Sequence, residues 1–291
     1  MYRGLESSGG SAARVAIAPQ LGAALSMDVE FAQLSDPGKV RQGNEDSLGY
    51  LQPDSPDEAR SRGWLFALAD GVGGHDRGEV ASRIAIETLV SGFRRAVRGE
   101  PHNLLLPSLV RAANARVLEA AHSPGTVGAS MATTVVACAL RHDRAVICHV
   151  GDSRCYLIRR NEGVALTRDH TVANEHVRLR LMSKEEAASA ETRHLLSRSL
   201  GGAMGVNVDT SEHQVFAGDV LVLCCDGLHG SVSGSEIAAL TGNGGDLNHA
   251  AQRLVDLANQ RDGSDNISLQ IIRVKSVERV GMYRGRPYRL P

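Results

Sequence analysis

The sequence predicts an α+β domain in which mainly antiparallel strands are covered by helices packed outside them. Short apolar runs of strand length cluster as neighbouring pairs along the chain and do not alternate strictly with helices, which disfavours a doubly wound parallel sheet. Two longer segments carry apolar residues at helical spacing. The 291 residues, 42% hydrophobic and 22% charged, are enough for one large buried core.

Taken in order, Met1 to about Ser26 is rich in Gly, Ser and Ala without a sustained period, and reads as a flexible leader. One domain is expected over 27–275, since no linker or internal repeat interrupts it. Its first strands run from Ser47 to Leu51 and from Trp64 to Ala69. Helices follow from Glu79 to about Arg98 and from Leu104 to His122, with Pro101 and Pro107 disturbing the start of the second. Thr133–Leu140 and Ala145–Val150 form a hairpin-like strand pair. The stretch from Thr171 to Leu196 is polar, charged and helix-prone. Val220–Cys225 is the next strand. Ser233 with Glu236 three residues on suggests a capping box, and a last helix follows Asp246 towards Gln260. Ile267–Val274 closes the domain, and 276–291 forms a basic tail, expected to be a solvated end.

Composition excludes several classes. Lys plus Arg total 32 against 33 for Asp plus Glu, so the net charge of -1 offers no basic excess for nucleic acid. No run approaches the roughly 20 apolar residues that span a bilayer. The mildly apolar stretch from Arg14 to Met27 is broken by Pro19 and Gln20 and makes no signal peptide. The five cysteines show no CxxC spacing and read as small buried hydrophobes of a reducing, cytoplasmic compartment.

The informative pattern is where the carboxylates fall. Trp64–Ala69 runs into Asp70-Gly71, Ala145–Val150 into Gly151-Asp152, and Val220–Cys225 into Asp226-Gly227. Asp265 sits with Asn266 just before Ile267, and Glu45-Asp46 just before Ser47. Each pair taken singly is an ordinary turn. Together they place acidic groups at the mouths of apolar strands, where desolvation is costly unless something neutralises them. If the strand ends share one edge, they form an all-oxygen cluster suited to Mg²⁺ or Mn²⁺ and not to zinc.

These residues fall within a longer series: Ser35-Asp-Pro-Gly-Lys-Val-Arg-Gln-Gly-Asn-Glu-Asp-Ser47, Ala69-Asp-Gly-Val-Gly-Gly-His75, Gly78-Glu-Val-Ala-Ser82 and Met131-Ala-Thr-Thr134. His149-Val-Gly-Asp-Ser-Arg-Cys-Tyr156, Leu166-Thr-Arg-Asp-His170, Ser197-Arg-Ser-Leu-Gly201, Cys225-Asp-Gly-Leu228 and Ser264-Asp-Asn-Ile-Ser268 complete it. In this order the motifs resemble the metal-dependent protein phosphatases of the protein phosphatase 2C type, in their compact bacterial form, across residues 28–274.

The resemblance implies a central sandwich of two antiparallel sheets flanked by helix pairs, with a dinuclear metal centre at one end. Asp70 matches the residue that bridges the metals, Gly71 the one that ligates through its carbonyl, and Asp226 and Asp265 the rest of the other site. Glu45 and Asp46 match the acidic pair that supports the first site. Asp152, with Asp226, matches a weaker third site, and Arg41 matches the arginine that grips the substrate phosphate. Catalytic roles fall to Asp70, Arg41, Asp226 and Asp265. Two metals about 4 Å apart can share a water, lower its pKa and aim it at phosphorus. The function implied is hydrolysis of phosphoserine and phosphothreonine in proteins, opposing a cognate Ser/Thr kinase, by an enzyme expected to be a monomer.

Several positions depart from the family pattern or invite two readings. Where many eukaryotic members of the family have a histidine, this chain has Val72, as in many bacterial relatives, leaving the proton donor open. His75 is expected to orient its loop, and Ala132 replaces a usual glycine. His149 reads as a structural hydrogen-bonding residue, and Arg154 either pairs with a carboxylate or covers one. Cys224 and Cys225 read as core, because no phosphate-cradling loop follows them. The segment 171–196 occupies the position of the family's flap or is an ordinary surface helix. The rival function is a phosphatase-like sensor or binding module; such proteins typically lose a metal ligand, and none is lost here.

Overall fold

The computed structural model describes residues 14–16, 26–72, 77–123, 131–278, 280–283 and 286–289. Chain order gives β1 (Arg14–Ala16), β2 (Asp28–Asp36), β3 (Asp46–Leu51), α1 (Pro56–Ser61), β4 (Trp64–Val72), α2 (Gly78–Arg95) and α3 (His102–Ala121). There follow β5 (Ala132–Thr133), β6 (Val135–Arg141), β7 (Arg144–Val150), β8 (Arg154–Arg159), β9 (Glu162–Ala165), α4 (Val172–Arg178) and α5 (Lys184–Ser189). A 3₁₀ turn at Glu191–His194 precedes β10 (Asp209–Gln214), β11 (Val220–Cys224), α6 (Asp226–His229), α7 (Gly234–Thr241), α8 (Leu247–Arg261) and β12 (Ile267–Ser276). Beyond it, β13 (Val280–Tyr283) and β14 (Arg286–Arg289) form a hairpin within the expected tail, and β1 lies within the expected leader, paired with β2.

Two large antiparallel sheets stack face to face. One has the order β1-β2-β12-β11-β8-β9 and the other β10-β7-β6-β4-β3, with β5 paired to β4. Strand period explains the layering, because successive side chains point to opposite faces. Along β4, Trp64, Phe66 and Leu68 pack between the sheets, while Leu65, Ala67 and Ala69 face α2 and α3 with Leu89, Phe93, Leu106 and Val110. On the other side, Tyr156, Ile158, Val222 and Ile271 face Leu254 and Val255 of α8. The result is the expected helix–sheet–sheet–helix arrangement.

Local sequence signals place the helix ends. Ser233 and Glu236 form the capping box of α7, and the Asp246 side chain accepts from the His249 N–H at 2.8 Å to start α8. The second long helix starts earlier than its apolar spacing suggested, at His102 behind Pro101, and carries Pro107 inside its second turn, buried. The first ends at Arg95, short of the expected Arg98. Strands β2, β8 and β10 were not evident as apolar runs. In β2 and β10 the reason is visible, since half-exposed residues interleave with the others throughout each strand. All five cysteines are buried free thiols.

Phe66 is fully buried between the sheets and meets Phe31 edge-on at 5.0 Å. Phe66→Ala is expected to cost about 3–5 kcal/mol of stability, read by chemical denaturation. A loss under about 1 kcal/mol would contradict this packing.

Candidate metal centre and active site

The parity that builds the core also aims the carboxylates. Asp70 extends the series Trp64, Phe66, Leu68 and so points between the sheets at their open end, while Asp46 extends the series Tyr50, Leu48 on the neighbouring strand. The two are direct partners in the β3–β4 register. Cys225 likewise continues Leu221 and Leu223. One carboxylate oxygen each of Asp46 and Asp70 and the Cys225 sulfur therefore lie within 4.8 Å of one another. The thiol, read from sequence as core, is indeed buried, yet it lines the acidic cluster. It donates to the Asn266 carbonyl at 3.2 Å and accepts from the Ser268 N–H at 3.1 Å.

Electrostatics register the crowding. Burial pushes the Asp70 carboxyl well above its ordinary value, and Asp46, Asp226, Asp152 and Asp265 push it further in the same direction. Burial, with Asp226 beside each, raises Asp46 and Asp152 to about 7. Burial also raises Glu45, against the opposing pull of Arg41. Asp226, at the first turn of α6, and Asp265, just before β12, face this cluster from the other sheet. The structure thus brings together Glu45, Asp46, Asp70, Asp152, Asp226 and Asp265. Arg41 stands at the rim, where its Nη2 donates to Asp265 Oδ2 at 2.7 Å.

Backbone geometry fixes the centre. The Asp70 carbonyl accepts from the Thr134 N–H at 2.8 Å and from Thr133 Oγ1 at 2.8 Å, and Thr134 Oγ1 in turn contacts Ser153 Oγ at 2.7 Å. A Cβ on Gly71 would collide with the Gly78 backbone and lie 2.7 Å from the Glu45 carbonyl, so only glycine fits there. Ser82 Oγ donates to that carbonyl at 2.6 Å. Thr134, Ser153 and Ser82 were not singled out from sequence, since their roles come from contacts between segments remote in the chain. Ala132 lies in the short strand β5 opposite Val72, an extended setting that accepts alanine in place of glycine.

The remaining sequence questions resolve locally. Arg154 pairs with Asp169 through both prongs, at 2.8 and 2.6 Å. His149 is structural: its Nε2 lies 2.9 Å from the Arg168 carbonyl and its ring stacks on His170 at 4.6 Å. His170 accepts from the Gly151 N–H and reaches Asp209, which Arg198 ties to Glu175 of α4. This network fastens the helix-bearing segment 171–196 beside the turn that carries Asp152. Val72 is exposed at the mouth, and His75 lies outside the described residues.

Both carboxylate oxygens of Asp46 are covered and lack a well-formed hydrogen bond among the described residues. The neighbouring Ser268 and Cys225 offset the burial only in part. Unpartnered buried carboxylate oxygens within an acidic cluster are costly without a cation. The oxygen donors surrounding them fit a hard divalent metal. Fold and site together define a two-sheet α+β domain with a candidate divalent-metal centre at the end of the sandwich.

Comparison with known proteins agrees. The family described as Protein phosphatase 2C matches residues 44–265, and the chain belongs to it. The serine/threonine phosphatase stp of Listeria innocua is 32% identical over 263 residues, covering 89% of this chain and 99% of that one. PstP of Mycobacterium tuberculosis is 34% identical over 253 residues, which span 86% of this chain and 46% of that protein. Among solved structures, the S. agalactiae serine/threonine phosphatase aligns over 85% of this chain and 100% of its own, with a TM-score of 0.75 and 32% identity. The catalytic domain of PstP in complex with two manganese ions aligns over 87% of this chain and 100% of its own, with a TM-score of 0.72 and 32% identity.

The raised carboxyls carry a pH consequence. A carboxyl whose folded-state pKa exceeds its unfolded value is protonated preferentially in the fold, so its contribution to stability falls as pH rises through the folded value. With chelator present, Asp46→Asn should therefore gain stability relative to the parent protein between pH 5 and pH 8, by about 1.4 kcal/mol for each tenfold excess of proton affinity that the substitution removes. Added Mn²⁺ should reverse that order. The comparison between variant and parent cancels the buried histidines, and a variant no more stable than the parent at pH 8 in chelator contradicts the account.

Proposed function

We propose that this protein hydrolyses phosphoserine and phosphothreonine in proteins, using two Mn²⁺ or Mg²⁺ ions with a third, weaker site. The observation that carries the reading is the convergence of Asp46, Asp70, Asp152, Asp226 and Asp265 on one open end of the sandwich. Asp70 would bridge the two metals, with the Gly71 carbonyl serving one, Asp226 and Asp265 the other, and Glu45 and Asp46 supporting them. Asp152 would share the third site with Asp226. When bound, such ions lower the pKa of a coordinated water and neutralise phosphoryl charge.

The chain's own groups orient the substrate. Arg41 is exposed at the rim, with a planar guanidinium suited to two-pronged contact with a phosphate. It pairs with Asp265, and a substrate phosphate would compete for it. Burial and mutual repulsion raise the carboxyls of Asp70, Asp46 and Asp152, and a bound cation would offset that crowding. The nucleophile nearest the cluster does not suit a phospho-enzyme: the burial of Cys225 pushes its thiol far up, which makes it a poor attacking group.

The partners proposed are phosphorylated proteins and a cognate Ser/Thr kinase whose products the enzyme reverses, with the enzyme acting as a cytoplasmic monomer. Among the described residues no helix is long and apolar enough to cross a membrane. A phosphatase-like binding module is not favoured, since the acidic set is complete. The segment 171–196, tied down beside Asp152 through Asp209 and Arg198, is proposed to select protein substrates.

Metal-free protein should be inactive on a phosphothreonine peptide and regain turnover with Mn²⁺ or Mg²⁺. Asp70→Asn should lose several orders of magnitude in turnover that excess Mn²⁺ does not restore. Asp152→Asn should keep the tight metal sites in calorimetric titration while slowing turnover of phosphoproteins. Tight binding lost in Asp152→Asn but kept in Asp70→Asn would overturn the assignment.

A further inference from the structure

The loop between β2 and β3 carries Arg41, ends in Glu45 and leads into Asp46, the first residue of β3, so its placement sets where the guanidinium stands relative to the carboxylates. One side chain from the far end of the chain spans that loop. Asn266 Nδ2 donates to the Pro37 carbonyl at 3.0 Å and to the Gly43 carbonyl at 3.0 Å, while Asn266 Oδ1 accepts from the Glu45 N–H at 2.8 Å. Both amide hydrogens and the amide oxygen are thus used, and the residue is only 5% exposed. Its own N–H donates to Asp265 Oδ1 at 2.8 Å, and Asp265 Oδ2 receives Arg41.

We propose that Asn266 is a positioning residue for phosphate binding, clamping both ends of the Arg41 loop so that the guanidinium stands over the acidic cluster. The inference rests on the reading of Arg41 as the group that grips phosphate. Three hydrogen bonds from one rigid amide hold the mouth of the loop at a fixed width. The loop also makes contacts of its own: the Lys39 N–H donates to the Gly263 carbonyl at 2.7 Å, and Asn44 Nδ2 to Ser35 Oγ at 2.7 Å. These tether single points, whereas Asn266 ties Pro37, Gly43 and Glu45 to one side chain. A carboxylate in its place would set oxygen against two carbonyl oxygens, so Asn266→Asp, nearly identical in shape, should be a poor substitute.

The test is a double-mutant cycle on the Mn²⁺-loaded enzyme, with a phosphothreonine peptide as substrate and inorganic phosphate as inhibitor. Arg41→Ala and Asn266→Ala should each raise KM and the phosphate inhibition constant about tenfold, with a smaller change in kcat. Combined, they should weaken phosphate binding by no more than about twofold beyond Arg41→Ala alone. Hydrogen exchange at the Glu45 amide should accelerate in Asn266→Ala while β11 and β12 keep their protection. Asn266→Ser, which retains one hydrogen-bonding group, serves if the alanine variant folds poorly, and should show the same coupling in smaller degree. An unchanged inhibition constant in Arg41→Ala overturns the role of Arg41 and this inference with it. A fully multiplicative double variant, or an unchanged Glu45 exchange rate, overturns the inference alone.

Discussion

Asp46 and Asp70 face one another across adjacent strands, and burial, reinforced by Asp46, Asp226, Asp152 and Asp265, raises the Asp70 carboxyl well above its ordinary range. Like charges held this closely in a covered site resist ionising together. A cation among its oxygens would offset that repulsion, and the Asp46 oxygens, which lack a well-formed hydrogen bond among the described residues, mark where compensation is weakest. The proposed metal centre is built by placing acids where they are worst tolerated alone.

The rest of the fold supports that placement. The sandwich core ends in acidic groups because Asp70, Asp46 and the thiol of Cys225 continue the same inward-facing series as Phe66, Leu48 and Leu223. Around them, Thr133 and Thr134 hold the Asp70 backbone, and the Glu45 carbonyl is met by Ser82 and by the Gly71 N–H. Contact between Gly71 and Gly78 brings the start of α2 against the end of β4. The crowded carboxylates are thus held on a hydrogen-bonded frame spanning two sheets.

Much of this was legible in the sequence. Apolar runs closing on Asp-Gly or Gly-Asp marked the strand ends that carry Asp70, Asp152 and Asp226, and the motif order supplied the sandwich. Ser233 with Glu236 and Asp246 gave the starts of the last two helices, because capping depends on residues only three apart. Strand β10 was not visible, since its half-exposed residues alternate with exposed ones and form no apolar run. Nor was the Arg41–Asp265 pair, or the frame of Thr134, Ser153 and Ser82, because each joins segments that only the folded sheets bring together. For Cys225 the sequence indicated burial but not the acidic neighbours; parity along β11 into the cluster could have indicated its position.

The central claim is that these carboxylates form one dinuclear metal centre. Crystals grown with Mn²⁺, measured at the manganese absorption edge, test it most directly by locating the ions through anomalous scattering. The account predicts two strong peaks about 4 Å apart, both in contact with Asp70, one also touching the Gly71 carbonyl and the other Asp226 and Asp265. A single peak, or peaks that leave Asp70 uncoordinated, would contradict it.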